Sequence, residues 1–298
     1  MVEEAVTRTV LITGASGGVG RAAARRFRME GAAVIAGYRD PAAREALAAM
    51  GCRPLRLDVT SEPDLLAVAT EDIDVLVNAA GVSQGGPLEE LPLGEVRRQF
   101  EVNVLGALRA AQLVAPGMRR RGHGRIINVS SVAGQVTIPG MGAYAMSKHA
   151  LESMSQALRH ELSPFGIGVC VIQPGGIDTP FAETERRTFR HGRPDGPYAS
   201  FTAQVADRLS RNPVALHPDR VARVIHRAAT ARHPRPRYRV GGLAHVMLSL
   251  DNSLPGRVWD RLIPLMTPVP AATPPTGTAR QSRRGEQPAA GPGPAAER

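Results

Sequence analysis

The pair Tyr144 and Lys148, in the segment YAMSK, has the residue types and the spacing to carry out proton transfer. Lys148 is the single lysine among 37 lysine and arginine positions, and lysine differs from arginine in being a compact ammonium that can titrate. On a helix, residues four apart lie on the same face, so the ammonium would lie beside the phenol. A neighbouring positive charge favours the phenolate and lowers a pKa that is ordinarily about 10. The pair therefore predicts an acid or base that works near neutral pH.

Three glycines, Gly14, Gly18 and Gly20, lie between the apolar run TVLIT and the helical pattern GRAAARRF. Glycine at such a position allows a tight turn, lets the backbone approach a pyrophosphate and leaves the amides of a helix N-terminus directed at the anion. The strand-turn-helix context predicts a nucleotide phosphate loop. The alternative is a glycine-rich turn with a purely structural role.

The end of the next apolar run indicates which nucleotide binds. A carboxylate there would bind a ribose hydroxyl and repel a 2′-phosphate, but the sequence has Tyr38 and then Arg39. Because an arginine fork suits a phosphate, we expect NADPH to be preferred, with NADH still possible. Asp40 precedes Pro41 and is expected to cap the next helix. The alternative is that Arg39 is one more surface arginine.

The elements that would position these residues alternate between short apolar runs and helical patterns. Near-continuous apolar runs are typical of parallel strands that are covered on both faces. The predicted strands are 9–13, 32–38, 53–58, 73–78, 124–130 and 168–174, and RPRYRVG can add a last one. With helices between them, they predict an α/β fold: a Rossmann-type, doubly wound parallel sheet with helices on both faces.

The domain organisation follows from the same pattern. We expect one catalytic domain over residues 1–242, with a substrate loop at 178–212 that is mobile and contains short helical pieces. A helical extension should occupy 243–266, including an amphipathic helix at 254–266. The proline-rich segment 267–298 is expected to be disordered because it cannot bury enough apolar surface.

Composition excludes several classes of function. The formal charge is +10, yet the arginines are dispersed and aromatic residues make up only 4%, which argues against nucleic-acid binding. The two cysteines are far apart and are expected to be reduced, which favours the cytoplasm. The apolar run near the N-terminus is too short for a signal peptide or a membrane span, and membrane contact is not expected. No metal-binding spacing is present.

Taken together, the motifs resemble the short-chain dehydrogenase/reductase family, single-domain Tyr-x-x-x-Lys subgroup. The resemblance covers about residues 8 to 240, and the motifs occur in the family's order and spacing. They are the glycine turn, NAAG at 78–81, Asn103 in FEVNVLG, Ser131 in INVSS, Tyr144-x-x-x-Lys148 and QPGGIDTP at 173–180.

The resemblance implies a role for each of four catalytic residues. Tyr144 would supply the proton when hydride transfer builds negative charge on a carbonyl oxygen, and Ser131 would hold that oxygen. Lys148 would also hydrogen-bond the nicotinamide ribose. Asn103 would hold a helix kink and a water that connects Lys148 to solvent, with an ordinary helix asparagine as the alternative.

The resemblance also implies a set of cofactor contacts. Asp58 would contact adenine, although it could equally cap a helix, and the backbone of Ile177 would fix the nicotinamide carboxamide. Asn78 is expected mainly to brace the central sheet. The full predicted set is Gly14, Ser16, Gly18, Val19, Gly20, Arg39, Asp58, Val59, Asn78, Ala79, Gly81, Tyr144, Lys148, Pro174, Gly175, Ile177 and Thr179.

The substrate is expected to be a medium-to-large hydrophobic ketone or secondary alcohol, such as a polyketide-, steroid- or lipid-like intermediate, because Val136, Ile138 and Met141 indicate an apolar pocket. Four arginines of the substrate loop, at 186, 187, 190 and 193, could instead meet an acidic substrate or lie in solvent. The resemblance further implies a homodimer or homotetramer.

Two other functions remain open at this stage. One is an NAD-linked alcohol dehydrogenase that works oxidatively. The other is a non-catalytic dinucleotide-binding scaffold or sensor, against which the intact proton donor argues.

Overall fold

The computed structural model describes residues 7–69, 71–189, 196–210 and 215–266. Within these ranges, seven parallel strands form one sheet in the order β3-β2-β1-β4-β5-β6-β7. The strands are β1 Thr9–Thr13, β2 Ala33–Tyr38, β3 Arg53–Arg56, β4 Val75–Asn78, β5 Gly124–Val129, β6 Ile167–Pro174 and β7 Arg237–Val240. All six predicted strands are present within two residues at either end, and RPRYRVG does form a seventh. The predicted doubly wound fold is confirmed.

Helices cover both faces of this sheet. Over the described residues they are α1 Gly18–Met29, α2 Arg44–Ala49, α3 Glu62–Leu66, α4 Leu93–Phe100, α5 Gly106–Arg121, α6 Gly142–Leu162, α7 Pro180–Phe189, α8 Ala199–Ser210, α9 Pro218–Thr230, α10 Gly242–Ser253 and α11 Gly256–Met266. A π-helical turn, Glu101–Leu105, joins α4 to α5.

The core consists of two apolar layers, one on each face of the sheet. On one face, alanines and Phe27 of α1 pack with Val221 and Ile225 of α9 against β1 and β2. On the other, Val114 and Met118 of α5 pack with Leu76 and Ile126. Strands buried on both sides must be apolar along their whole length, which is why the runs show no alternation.

The segment after β6 differs from the prediction of a loop with short helical pieces. Its described residues contain two full helices, α7 and α8, whose Phe189, Phe201 and Val205 form a small apolar core of their own with Met141 and Tyr144. These apolar residues are spread among Arg, Thr and Gly, so the helical period was hidden. The predicted disordered tail, 267–298, lies outside the described residues.

The C-terminal helices α10 and α11 pack beside the 3₁₀ turn Val132–Gly134. Met247, Leu248, Trp259 and Ile263 form a cluster with Val136. The predicted amphipathic helix corresponds to α11, and α10 precedes it. None of the helices in the described ranges combines the length and apolarity that a membrane crossing requires.

Candidate active site

A cavity of about 810 Å³ opens at the carboxyl ends of the central strands. The strand order reverses direction between β1 and β4, and open α/β sheets bind ligands at such a switch point. The volume lies within the range of about 300–1,000 Å³ that is usual for small-molecule sites. Of the predicted site residues, those lining it are Gly14, Ser16, Gly18, Val19, Gly20, Arg39, Asp58, Val59, Ala79, Gly81, Ser131, Tyr144, Lys148, Pro174, Gly175, Ile177 and Thr179.

The glycine turn has the geometry of an anion cradle. Gly14 has φ +66°, and a Cβ there would lie 2.7 Å from the Cα of Ala80. A Cβ on Gly20 would overlap the carbonyl oxygen of Gly14. Helix α1 begins with Gly17 as its N-cap, no side chain accepts its first amides, and its first turn contains no acidic residue. These amides are therefore left for an anion such as a pyrophosphate, and the residues present fit a dinucleotide.

Arg39 and Asp58 line the cavity at the ends of β2 and β3. In the described part of the chain, no carboxylate forms an ion pair with the exposed Arg39. Asp40 accepts a hydrogen bond from the amide of Ala42 at 3.0 Å, so the predicted cap is confirmed. Asp58 accepts from the amide and the hydroxyl of Thr60, at 2.9 and 2.7 Å.

These interactions determine the charge of Asp58. Burial raises the pKa of its carboxyl, but the hydrogen bonds from Thr60 and the charges of Arg39 and Arg56 outweigh burial, so the pKa is lowered overall. Asp58 thus holds a turn and carries a negative charge beside Arg39.

Tyr144 and Lys148 lie on α6, and both are buried. The Nζ of Lys148 is 5.6 Å from the centre of the Tyr144 ring, and it donates to the carbonyl of Val129 at 3.0 Å. Burial lowers the pKa of Lys148 to about 8, an effect that Glu152 opposes. The ammonium is therefore mostly protonated at neutral pH.

The phenol of Tyr144 stays protonated in this environment, so the predicted lowering of its pKa by Lys148 is not observed. Burial raises its pKa well above the ordinary value, the charge of Glu185 raises it further, and a hydrogen bond with Ser131 lowers it. Ser131 follows β5 and caps a 3₁₀ turn, where its Oγ accepts from the amide of Ala133 at 3.2 Å. Ser131, at the end of β5, and Tyr144, on α6, are thirteen residues apart in sequence but form a hydrogen bond in the fold.

Asn103 lies in the π-helical turn, beneath the site rather than on its wall. Its Oδ1 accepts from the amide of Val82 at 2.8 Å, and its Nδ2 donates to the carbonyl of Val82 at 2.9 Å and to Ser147 Oγ at 3.0 Å. The predicted helix irregularity is present at this residue. Its side chain fastens the loop after β4 to α6.

Asn78 likewise does not line the cavity. It is buried and donates to the carbonyl of Ala107 at 3.2 Å and to Asn128 Oδ1 at 2.9 Å. Its direct cofactor contact is thus not supported, because the side chain points between strands and helix. The bracing role that was also predicted agrees with these bonds.

The loop after β6 forms one wall of the cavity. The backbone at Ile177 is held by Leu216, whose amide donates to the carbonyl of Gly176 at 2.8 Å and whose carbonyl accepts from the amide of Asp178 at 3.0 Å. A Cβ on Gly18 would overlap the side chain of Thr179, so this loop contacts the glycine turn directly.

Val136, Ile138 and Met141, from which the sequence predicted an apolar pocket, all line the cavity. Phe181, Glu185 and Met247 also line it and were not anticipated. Arg186 and Arg187 do not; both pair with Glu183. Arg190 and Arg193 lie outside the described residues.

In the described part of the chain, no cluster of His, Cys, Asp or Glu suits a metal ion.

Comparison with known proteins agrees with this geometry. The sequence profile of the family described as short chain dehydrogenase matches residues 8–189. The uncharacterized oxidoreductase YbbO of Escherichia coli is 34% identical over 263 residues, covering 86% of this chain and 94% of that protein. The 3-ketodihydrosphingosine reductase of Bacteroides thetaiotaomicron is 32% identical, covering 82% and 91%.

Comparison with solved structures supports the same fold and family. A short chain dehydrogenase from Burkholderia cenocepacia in complex with NADP superposes with a TM-score of 0.70 at 26% identity, covering 86% of this chain and 98% of that one. The chain belongs to the short chain dehydrogenase family and is an NAD(P)-dependent oxidoreductase that acts on CH–OH or C=O groups.

Proposed function

We propose that this protein is an NADPH-dependent carbonyl reductase that acts on a medium-to-large hydrophobic ketone. The observation that carries the proposal is a single cavity in which Tyr144 and Ser131 meet an apolar wall at one end and Arg39 lies at the other. The relative named 3-ketodihydrosphingosine reductase and the neighbour bound to NADP support the substrate type and the cofactor.

The chain's own residues account for binding. The amides at the start of α1 and the close-packed Gly14 and Gly20 would hold the pyrophosphate, and Arg39 would pair with the 2′-phosphate. Gly81, Pro174, Gly175, Ile177 and Thr179 would line the nicotinamide. When bound, the cofactor supplies the hydride.

Tyr144 would be the proton donor. Ser131 and Tyr144 would both hydrogen-bond the substrate carbonyl, and the phenol would give its proton to the oxygen as negative charge develops there. The ammonium of Lys148 stabilises the phenolate that is left, and Asn103 keeps the neighbouring loop in place. A phenol that holds its proton at neutral pH is able to donate it to the developing oxyanion.

A panel of ketones with NADPH and with NADH, followed at the nicotinamide absorbance, tests the proposal. We expect turnover of long-chain or bulky ketones, with kcat/KM higher for NADPH. Tyr144→Phe should lower turnover by about 10²-fold or more because the proton donor is lost. Full turnover in that variant, or a preference for NADH, would contradict the proposal.

We also propose that the protein is a homodimer or homotetramer. Leu93 of α4, Leu105 of the π-helical turn and Met146 of α6 are exposed apolar side chains on helices that pack side by side. Exposed apolar side chains on neighbouring helices are consistent with an interface between copies. The cytoplasmic location remains a prediction.

A further inference from the structure

Glu185 is a carboxylate inside the cavity that the reaction does not use. It lies on α7, whose Phe181, one helical turn earlier on the same face, has its ring 6.1 Å from the ring of Tyr144. Glu185 Oε1 accepts a hydrogen bond from Ser83 Oγ at 2.6 Å. The side chain therefore lies on the cavity side of the lid, as we call α7 and α8, and close enough to Tyr144 for its charge to act on the phenol.

No cation of the described chain neutralises this group. Arg186 and Arg187, which flank it in sequence, both pair with Glu183 on the outer side of the same helix. Lys148 donates to a backbone carbonyl instead. Enclosure raises the pKa of Glu185, and the bond from Ser83 only partly offsets that effect. Glu185 is partly exposed to the cavity and has the Ser83 hydroxyl as its hydrogen-bond partner, so its negative charge is free to pair with a positively charged group of a ligand.

We propose that Glu185 is a specificity residue that binds an ammonium group on the carbon next to the reacting carbonyl, so that the substrate is an amino ketone with an apolar chain. The inference rests on the carbonyl reductase function proposed above. With the carbonyl oxygen between Ser131 and Tyr144, an amine one carbon away would face the carboxylate of α7. The chain would then extend along Val136, Ile138 and Met247.

The same contact would assist the proton transfer. As an anion, Glu185 opposes ionisation of Tyr144, which is unfavourable for a proton donor. An ammonium bound between them would offset the negative charge of Glu185 and so favour ionisation of Tyr144. A neutral ketone would not have this effect.

The competing explanation is that Glu185 only fastens the lid through Ser83. The lid has a second fastening of this kind, since the amide of Gly85 donates to Thr188 Oγ1 at 2.8 Å. Glu185→Gln separates the two explanations because the amide oxygen can still accept from Ser83 while the charge is lost. Glu183→Gln is the matched control, with the same substitution on the same helix but outside the cavity.

The experiment measures kcat/KM with NADPH for a long-chain 2-amino-3-ketone and for the same ketone without the amine. We expect the parent enzyme and Glu183→Gln to prefer the amino ketone by about tenfold or more, the usual size of a charge-assisted hydrogen bond. In Glu185→Gln that ratio should fall to near one. Thermal unfolding of each variant shows whether it is folded, and Glu185→Asp should restore part of the preference.

Three results would overturn the inference. The first is a parent enzyme that reduces the neutral ketone as well as or better than the amino ketone; the proposed reductase function would then stand without it. The second is a Glu185→Gln variant that keeps the parental preference for the amino ketone, as a role limited to fastening the lid through Ser83 predicts. A parent enzyme inert on every ketone with NADPH would remove the reductase function itself, and this inference with it.

Discussion

At the scale of single residues, the position of Lys148 explains why a chain so rich in arginine has a lysine there. Its stem is buried on α6, and its ammonium reaches the carbonyl of Val129 while lying beside the Tyr144 ring. Gly81 is close to Nζ, since a Cβ there would lie 3.9 Å from it. A planar guanidinium is larger and binds in a fixed fork, so it would not fit the same contacts.

Lys148→Arg should therefore lower kcat/KM for ketone reduction by at least about tenfold, or about 1.4 kcal/mol in the barrier, although the charge is kept. Steady-state kinetics with NADPH measures this change, and thermal unfolding checks that the variant is folded. Parental turnover would mean that the lysine has no role that arginine cannot fill.

At the scale of elements, the start of α1 depends on the absence of a side chain at Gly20. Its Cα packs against the backbone of Gly14, which cannot move aside because it forms the turn after β1. The matched contrast is Gly94 in α4, another helical glycine, where an added Cβ would have no described atom within 4 Å apart from its chain neighbours and the backbone of its own helix.

Gly20→Ala should lower the free energy of unfolding by about 1–3 kcal/mol because the added methyl overpacks the turn. It should also weaken NADPH binding. Gly94→Ala should be neutral or stabilise by up to about 1 kcal/mol, since alanine costs less backbone entropy in a helix. Urea unfolding and a fluorescence titration with NADPH measure both effects, and equal results for the two variants would contradict this account of the turn.

At the scale of the whole molecule, the exposed side of α4 and α6 is the candidate interface between copies. On α6, Tyr144 and Lys148 line the cavity, whereas Met146 lies between them in sequence and is exposed on the surface. Helix α6 would then connect the active site of one copy to the surface of the next.

Met146→Glu should shift the protein toward monomer, because a charge would be buried at the interface. Met29→Glu is the matched control: Met29 is also exposed, but on α1, on a different part of the surface. Light scattering coupled to size-exclusion chromatography gives the masses. An unchanged oligomer in Met146→Glu, or a monomeric parent, would rule out this interface.

Much of the fold and of the catalytic cluster could be predicted because their causes are local in sequence. Strands buried on both faces must be apolar throughout, and helix periodicity places Tyr144 and Lys148 on one face. The glycine turn is encoded by residues within one short segment. These features predict the family and the sheet, which are both confirmed, and identify Tyr144 and Lys148 as candidate catalytic residues.

What only the tertiary structure decided depends on residues far apart in the chain. Nothing near Glu185 in sequence distinguishes it from Glu183, yet one faces Tyr144 and the other pairs with two arginines. Asn78 belongs to a motif of the cofactor site, but its partners Ala107 and Asn128 turn its side chain into the core. Which face of the lid helix meets the cavity is determined by packing of α7 against α8, Met141 and the loop after β4, and periodicity alone cannot specify that choice.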